Sequence, residues 1–344
     1  MFSNYIKRIF KHTCIQTRNI SMNFNLKYGL NPSNTSAGYS FKGPKQFDVL
    51  NGELSYINVL DAMLGWNLVN EAKQVLNRNV CASYKHNAPA GVSCLGYSTH
   101  NVVKYARKCD ELSSFGDFIS VTGLVDCETA KYLKTQVSDG IIADEFTDGA
   151  MDILKKKKNG NYIILKGYPT NTDADADENK TLEYRDHFGV TLYQTKDTSS
   201  ILNFENEFEN EFENFNISKK KEIDALLGWI TLKYTPSNSV NFVHNKQVIG
   251  IGAGQQNRVA CIRIAGDKCQ TWNEKYNFQN PIPISYTMCS DGFLPFKDNI
   301  DAAKEYDVDL IVQPGGSIKD VEIKEEALNQ DIEMIYTGTR AFYH

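Results

Sequence analysis

The chain has 344 residues, 41% of them hydrophobic, and a formal net charge of −5. That length and apolar content support a sizeable core, in one large domain or two, and exclude wholesale disorder. Basic and acidic residues alternate over most of the sequence, which excludes the one-signed surface of a nucleic-acid binder and favours small-molecule chemistry.

The N-terminal stretch "MFSNYIKRIFKHTCIQTRNISMNFN" carries Lys7, Arg8, Lys11 and Arg18, and no acidic residue precedes Asp48. It resembles an organelle transit peptide, which would send the protein to mitochondria or a similar compartment. A disordered leader ahead of Met22 is the other reading, with a cytoplasmic location. "YINVLDAMLGWNLVNEAKQVL" spaces Ile57, Leu60, Met63, Leu64, Leu68 and Ala72 as a helix does, and "NVCASY" follows as a buried strand. In "SYKHNAPAG" a lysine stands directly before a histidine, and Pro89 and Gly91 are expected to end the strand and turn the chain.

"VDCETAKYLKTQVSDGIIADEF" predicts a helix and then a strand at "GIIA"; "GAMDILKKKK" and "NYIILKG" repeat that order. "TNTDADADENK", residues 170–180, is an acidic surface loop, and "NFENEFENEFENFN", residues 203–216, is a repetitive loop or an amphipathic surface helix. "EIDALLGWITLKYT" is a helix, "HNKQ" a turn, "QVIGIGAG" a glycine-ended strand, and "DVDLIVQPGG" and "IEMIYTG" are two more strand ends. The alternation predicts an α/β fold.

No run of about 18 apolar residues occurs, so no membrane-spanning helix is expected. The eight cysteines form no C-x-x-C pair and read as isolated thiols of a reducing compartment. Polar stretches at strand ends, "YKHNAPAG", "SSFGDF", "VSDG", "YTPSNSV", "GIGAGQQNR", "SDGFLPFKDN" and "QPGGS", are candidates for binding, since ligands of open α/β sheets gather where strands end. "GIGAGQQ" lacks the lysine of a Walker loop and the spacing of the dinucleotide fingerprint.

From "KYGLNP" through "VLNGELSYINVLDA", "SYKHNAPAG", "SSFGDF", "VSDGIIA", "KYTPSNSV", "AGDK" and "FLPFKDNID" to the closing "TRAFYH", the chain resembles a known family. It is similar to the transformylase half of the bifunctional purine-biosynthesis enzyme, the folate-dependent AICAR (5-amino-4-imidazolecarboxamide ribonucleotide) formyltransferase. The resemblance covers about Leu26 to His344. It implies transfer of a formyl group from 10-formyltetrahydrofolate to the exocyclic amine of AICAR, giving FAICAR on the way to IMP.

That amine is a poor nucleophile, so the reaction needs a proton acceptor on it and a stabiliser for the oxyanion forming on the formyl carbon. The resemblance implies His86 for the first role and Lys85 for the second. It places the nucleotide on Lys27, Tyr28, Gly116, Asp139, Asn238, Arg258, Phe293 and Arg340, and the folate on Val259, Asp298, Ser317 and Ile318. Arg258 and Arg340 suit a phosphate, because guanidinium forks match its oxygens.

The family implies two cytidine-deaminase-like α/β/α modules, expected at 26–195 and 196–344 behind an extension of residues 1–25, and a homodimer with shared active sites. A structural potassium near "TPSNS" belongs to the same expectation. Zinc does not, since H-x-E and P-C-x-x-C are both missing. Lys27 stands where the family has arginine, Ser33 where it has histidine, and no cyclohydrolase domain is expected ahead of Leu26. A lapsed paralogue that binds nucleotide as a scaffold is the alternative, and it would keep the fold without the Lys85–His86 pair.

Overall fold

The computed structural model describes residues 24–169, 182–195, 218–276 and 284–344; the expected leader, the acidic loop and the Phe-Glu-Asn repeat lie outside them. A short ribbon of β1 (Phe24–Asn25) and β2 (Gly38–Tyr39) precedes β3 (Phe47–Asn51) and α1 (Tyr56–Leu76), the predicted helix to the residue. Next come β4 (Cys81–Lys85), β5 (Ala88–Ser93), α2 (Thr99–Cys109), β6 (Asp117–Val125), α3 (Cys127–Thr135), β7 (Ser138–Phe146), α4 (Asp148–Leu154) and β8 (Ile163–Gly167). A hairpin of β9 (Leu182–His187) and β10 (Val190–Thr195) stands apart from the main sheet.

The same order then returns: α5 (Lys219–Lys233), β11 (Val240–His244), β12 (Gln247–Gly252), α6 (Arg258–Tyr276), β13 (Tyr286–Ser290), α7 (Asp298–Lys304), β14 (Val308–Gln313), α8 (Asp320–Asn329) and β15 (Glu333–Tyr336). One sheet of eleven strands joins both halves in the order β15-β14-β13-β11-β12-β5-β4-β6-β7-β8-β3. Each half contributes an antiparallel hairpin and three parallel strands, and the halves meet where β5 runs antiparallel to β12. The mixed α/β class is as the alternation predicts.

The duplication is written in the sequence, because "DAMLGW" (61–66) and "DALLGW" (224–229) hold the same place in α1 and α5. Trp66 and Trp229 are buried on one face of the sheet with residues from both helices. The opposite face is covered by α2, α3 and α4 over one half and by α6, α7 and α8 over the other. Strands such as "CASYK" therefore bury both faces and read as apolar runs rather than alternating ones.

The topology also sorts the loops. Tyr84 pairs with Phe118, and Asp117 with Ser138, so the β4–β5 tip lies beside the starts of β6 and β7. Because Gln247 pairs with Ser93, the far end of β12 points to that same edge, with the start of β11 and the ends of β13, β14 and β15. One edge thus carries the candidate residues of both halves. Among the described residues, no helix is long and apolar enough to cross a membrane.

Candidate active site

The Lys85–His86 pair sits differently from the sequence expectation. Pro89 and Gly91 do not end the strand; both lie inside β5, where Pro89 pairs with Tyr84 and Gly91 with Ser83. Gly91 is required by packing, since a Cβ there would stand 2.5 Å from the Ala106 carbonyl oxygen and nearer still to Cys109. The turn is His86–Asn87 itself, with φ of 56° and 62° between the paired Lys85 and Ala88. Two positive φ values make the tight mirror-image turn that matches strand twist, and histidine and asparagine tolerate that region better than most residues. Neighbours within a strand face opposite ways, and because His86 lies in the turn that constraint does not apply to it and Lys85.

Beneath the turn lies Asp61 of α1. It is buried, and it accepts the Asn87 amide at 2.7 Å, with the His86 backbone close enough to favour its ionised form. Burial pushes its carboxyl up to about 6, against the pull of that amide and of His86. The sequence signal for this residue was the repeated "DAxLGW", which marks Asp61 and Asp224 as equivalents.

Lys85 Nζ donates to the Phe115 carbonyl at 2.6 Å, beside Gly116. Gly116 adopts φ 80°, and a Cβ on it would come within 3.9 Å of Lys85 Nζ. Asp139, at the start of β7, pairs with Lys158 at 2.6 Å and contributes to the field at Asp61. Below these groups Asp117 holds Ser83 Oγ at 2.6 Å and Arg107 Nε at 3.0 Å, while Arg107 also donates to the Ser114 and Val137 carbonyls. Lys157 is buried against the Tyr162 ring and donates to Ser138 Oγ at 2.8 Å; burial lowers it to about 8.

Lys85, His86, Gly116 and Asp139 are thus one group. Lys85 and His86 stand at the end of β4, as the general rule for open sheets predicts, whereas Gly116 and Asp139 stand at the starts of β6 and β7.

In the second group Arg258, Phe293 and Arg340 follow the ends of β12, β13 and β15, and Asn238 alone of the four stands before a strand. Asn238 precedes β11 and is tied to Gln255 by its side-chain amide at 2.9 Å. Arg258 opens α6, its Nη2 is 3.2 Å from the fully buried Asp291, and its Nε is a buried donor with no partner among the described residues. The guanidiniums of Arg258 and Arg340 lie 5.8 and 5.6 Å from the centre of the same ring, Phe342. Phe293 is half-buried between Gly292, which abuts Arg258, and Leu294, held to Gln313 through its amide at 2.9 Å. Asp291 and Phe342 were not anticipated, and only their neighbours in space reveal them.

Lys27 and Tyr28 are fastened by backbone bonds to Leu54 and Tyr56, at the mouth of α1. Val259 lies in the first turn of α6 and Asp298 in that of α7. Ser317 and the exposed Ile318 follow β14, where Asp320 accepts the Gly316 and Ser317 amides at 2.7 and 3.1 Å. Lys319 Nζ lies 5.1 Å from the Phe296 ring centre, which brings the two folate-assigned loops together. Among the described residues, no three His, Cys, Asp or Glu side chains gather as metal ligands.

The fold and these groups define an α/β protein that collects lysine, histidine, arginine and aromatic side chains on one edge of a duplicated sheet. A family model described as "AICARFT/IMPCHase bienzyme" matches residues 1–268, and the chain belongs to that family. The bifunctional purine biosynthesis protein PurH of Persephonella marina is 33% identical over 327 residues, 93% of this chain and 59% of that protein. Its counterparts in Petrotoga mobilis and Clostridium kluyveri are each 32% identical over 93% of this chain, and the chain covers 58% and 59% of them. The chain therefore spans under two thirds of the length of these relatives.

Proposed function

We propose that this chain is a folate-dependent formyltransferase, which moves the formyl group of 10-formyltetrahydrofolate onto the exocyclic amine of AICAR to give FAICAR. The observation that carries this reading is the His86–Asn87 turn, which presents a histidine directly after the last residue of β4, Lys85, at a sheet edge. His86 takes the proton from the attacking amine and returns one to the departing folate nitrogen. Lys85 meets the developing oxyanion as a compact positive charge.

The Arg258–Arg340–Phe342 group supports an anionic ligand, since two guanidiniums converge there and one keeps a donor unpartnered among the described residues. Asn238, Phe293, Lys27, Tyr28, Gly116 and Asp139 complete the nucleotide's surroundings, and Val259, Asp298, Ser317 and Ile318 the folate's. We read the halves as two deaminase-like modules, 26–195 and 196–344, and the protein as a homodimer whose sites draw on both subunits. Exposed Leu112, Phe115 and Val137 beside one group, and exposed Phe296, Ile318 and Val321 beside the other, are apolar surface suited to such pairing. Potassium at the 235–239 turn would find oxygen donors in backbone carbonyls, the serine hydroxyls and Asp291.

Tetrahydrofolate release on incubation with AICAR and 10-formyltetrahydrofolate is the direct test. Turnover by the wild type and a loss of roughly 100-fold in His86→Ala are expected. A folded wild type that binds the nucleotide without turnover would favour the scaffold reading instead. Assaying the same mixture for IMP shows whether ring closure accompanies formyl transfer.

A further inference from the structure

The internal duplication separates what the hairpin tip owes to folding from what it owes to chemistry. In the second half Asp224 accepts the amides of Asn245 and Lys246 at 3.0 and 2.6 Å; Asp61 in the same place accepts that of Asn87 at 2.7 Å, with the His86 backbone near enough to act on its charge. The turns match as well, with φ of 51° and 65° at Asn245 and Lys246. What differs is the cargo. His244 occupies the place of Lys85, and its Nδ1 pairs with the Ser285 carbonyl just ahead of β13, as Lys85 Nζ pairs with the Phe115 carbonyl ahead of β6. The second tip carries Asn245 where the first carries His86, and it points to the opposite edge of the sheet.

We infer that Asp61 is a positioning residue for the reaction: its carboxylate fixes the backbone of the His86–Asn87 turn and so sets where the His86 imidazole and the Lys85 ammonium stand relative to each other. The inference rests on the formyl-transfer reading for the reaction it serves, and on geometry alone for the clamp. A carboxylate suits the task because, being charged, it accepts the Asn87 N–H more strongly than a carboxamide and acts on the His86 backbone beside it as well. Both residues flank one peptide, so a shift of that peptide moves both side chains. A misplacement of about 1 Å at a reacting group costs on the order of 100-fold in rate.

Asp224 supplies the control, a residue in the same clamp on the same kind of helix at the edge away from the site. In Asp61→Asn, amide exchange at His86 and Asn87 should quicken by roughly 10-fold or more, and kcat should fall roughly 10- to 100-fold with KM for the nucleotide within about 2-fold. In Asp224→Asn, exchange should quicken only at Asn245 and Lys246, and kcat should stay within about 2-fold of wild type. Unchanged exchange in Asp61→Asn overturns the clamp, whether or not the wild type is active. Equal losses of kcat in the two variants, or quickened exchange at His86 with undiminished kcat, overturn the positioning role. An inactive wild type with the expected exchange pattern refutes the formyl-transfer reading and the catalytic half of the inference while leaving the clamp in place.

Discussion

Arg258 and Asp291 form an ion pair that serves the fold and the site at once: the guanidinium donates to one carboxylate oxygen at 3.2 Å, and the other takes the Ser239 amide at 2.9 Å and its hydroxyl at 3.2 Å. Asp291 is out of solvent, while the Arg258 side chain keeps 14% exposure beside Phe342. One residue is locked so that the other can face outward.

Removing the locked partner leaves Arg258 largely buried without its counter-charge and Ser239 without its acceptor. Asp291→Ala should lower the unfolding free energy by about 3–5 kcal/mol, the usual cost of breaking one side of a buried pair. Asp291→Asn should cost less, about 1–3 kcal/mol, because its amide oxygen can still accept one bond. Urea unfolding of the three proteins decides the order, and an Asp291→Ala protein as stable as wild type contradicts it.

Gly91 and Gly250 make a second matched pair. Each lies in a hairpin strand against a helix, Gly91 against the Ala106 carbonyl and Cys109 of α2, Gly250 against the Ala265 carbonyl and Cys269 of α6. Alanine at either position needs the helix to move outward, and overpacking of this kind costs about 1–3 kcal/mol. A lowered thermal midpoint in both variants is expected; an unchanged midpoint would mean the helices float free of the strands.

Lys85 offers a test of a different kind, because its Nζ bonds one backbone carbonyl and it is only half-buried. Lys85→Met should retain the fold, with a stability change of about 1 kcal/mol or less. Under the formyl-transfer reading its kcat should fall on the order of 100-fold. A variant that turns over like wild type would move the oxyanion role elsewhere.

Much of this was legible in the sequence, for identifiable reasons. The periodicity of Tyr56–Leu76 and the apolar runs of β4, β8, β12 and β14 report local burial, which periodicity measures well. The "HNKQ" turn is legible in the sequence, whereas at its counterpart the turn is expected at Pro89 and Gly91 instead of His86–Asn87, because proline and glycine are louder breakers than a His-Asn pair. Gly91 is there for helix contact, which only the fold makes visible. β11 and β13 are short and hidden among polar loops, and the pairing of β5 with β12 is a contact between distant segments that no local pattern encodes. Lys85, His86, Gly116 and Asp139, named through the resemblance, lie on one edge of the sheet, while Asp61, Asp291 and Phe342 came from neighbours in space.

Asp61 and Asp224 also predict how stability depends on pH. Burial raises both carboxyls from 3.8 to about 6 in the folded protein. Between about pH 4 and 6 the folded state therefore binds more protons than the unfolded one, so each group's contribution is complete below about pH 4 and is lost as the pH rises through 6. A shift of that size corresponds to about 3 kcal/mol per group. Carboxyls lowered by folding, such as Asp126, which bonds Thr129, act in the opposite sense and at lower pH. A direct pH scan would mix the two, so the difference between wild type and Asp224→Asn is the cleaner quantity: an asparagine does not titrate, and wild type should lead by about 3 kcal/mol more at pH 4 than at pH 7. A lead that grows toward pH 7 would mean that Asp224 is stabilised as a carboxylate and that its two amide bonds outweigh its burial. The predicted direction means that at neutral pH the turn is held by an anion in a buried place, a cost offset by giving each of two converging amides its own oxygen.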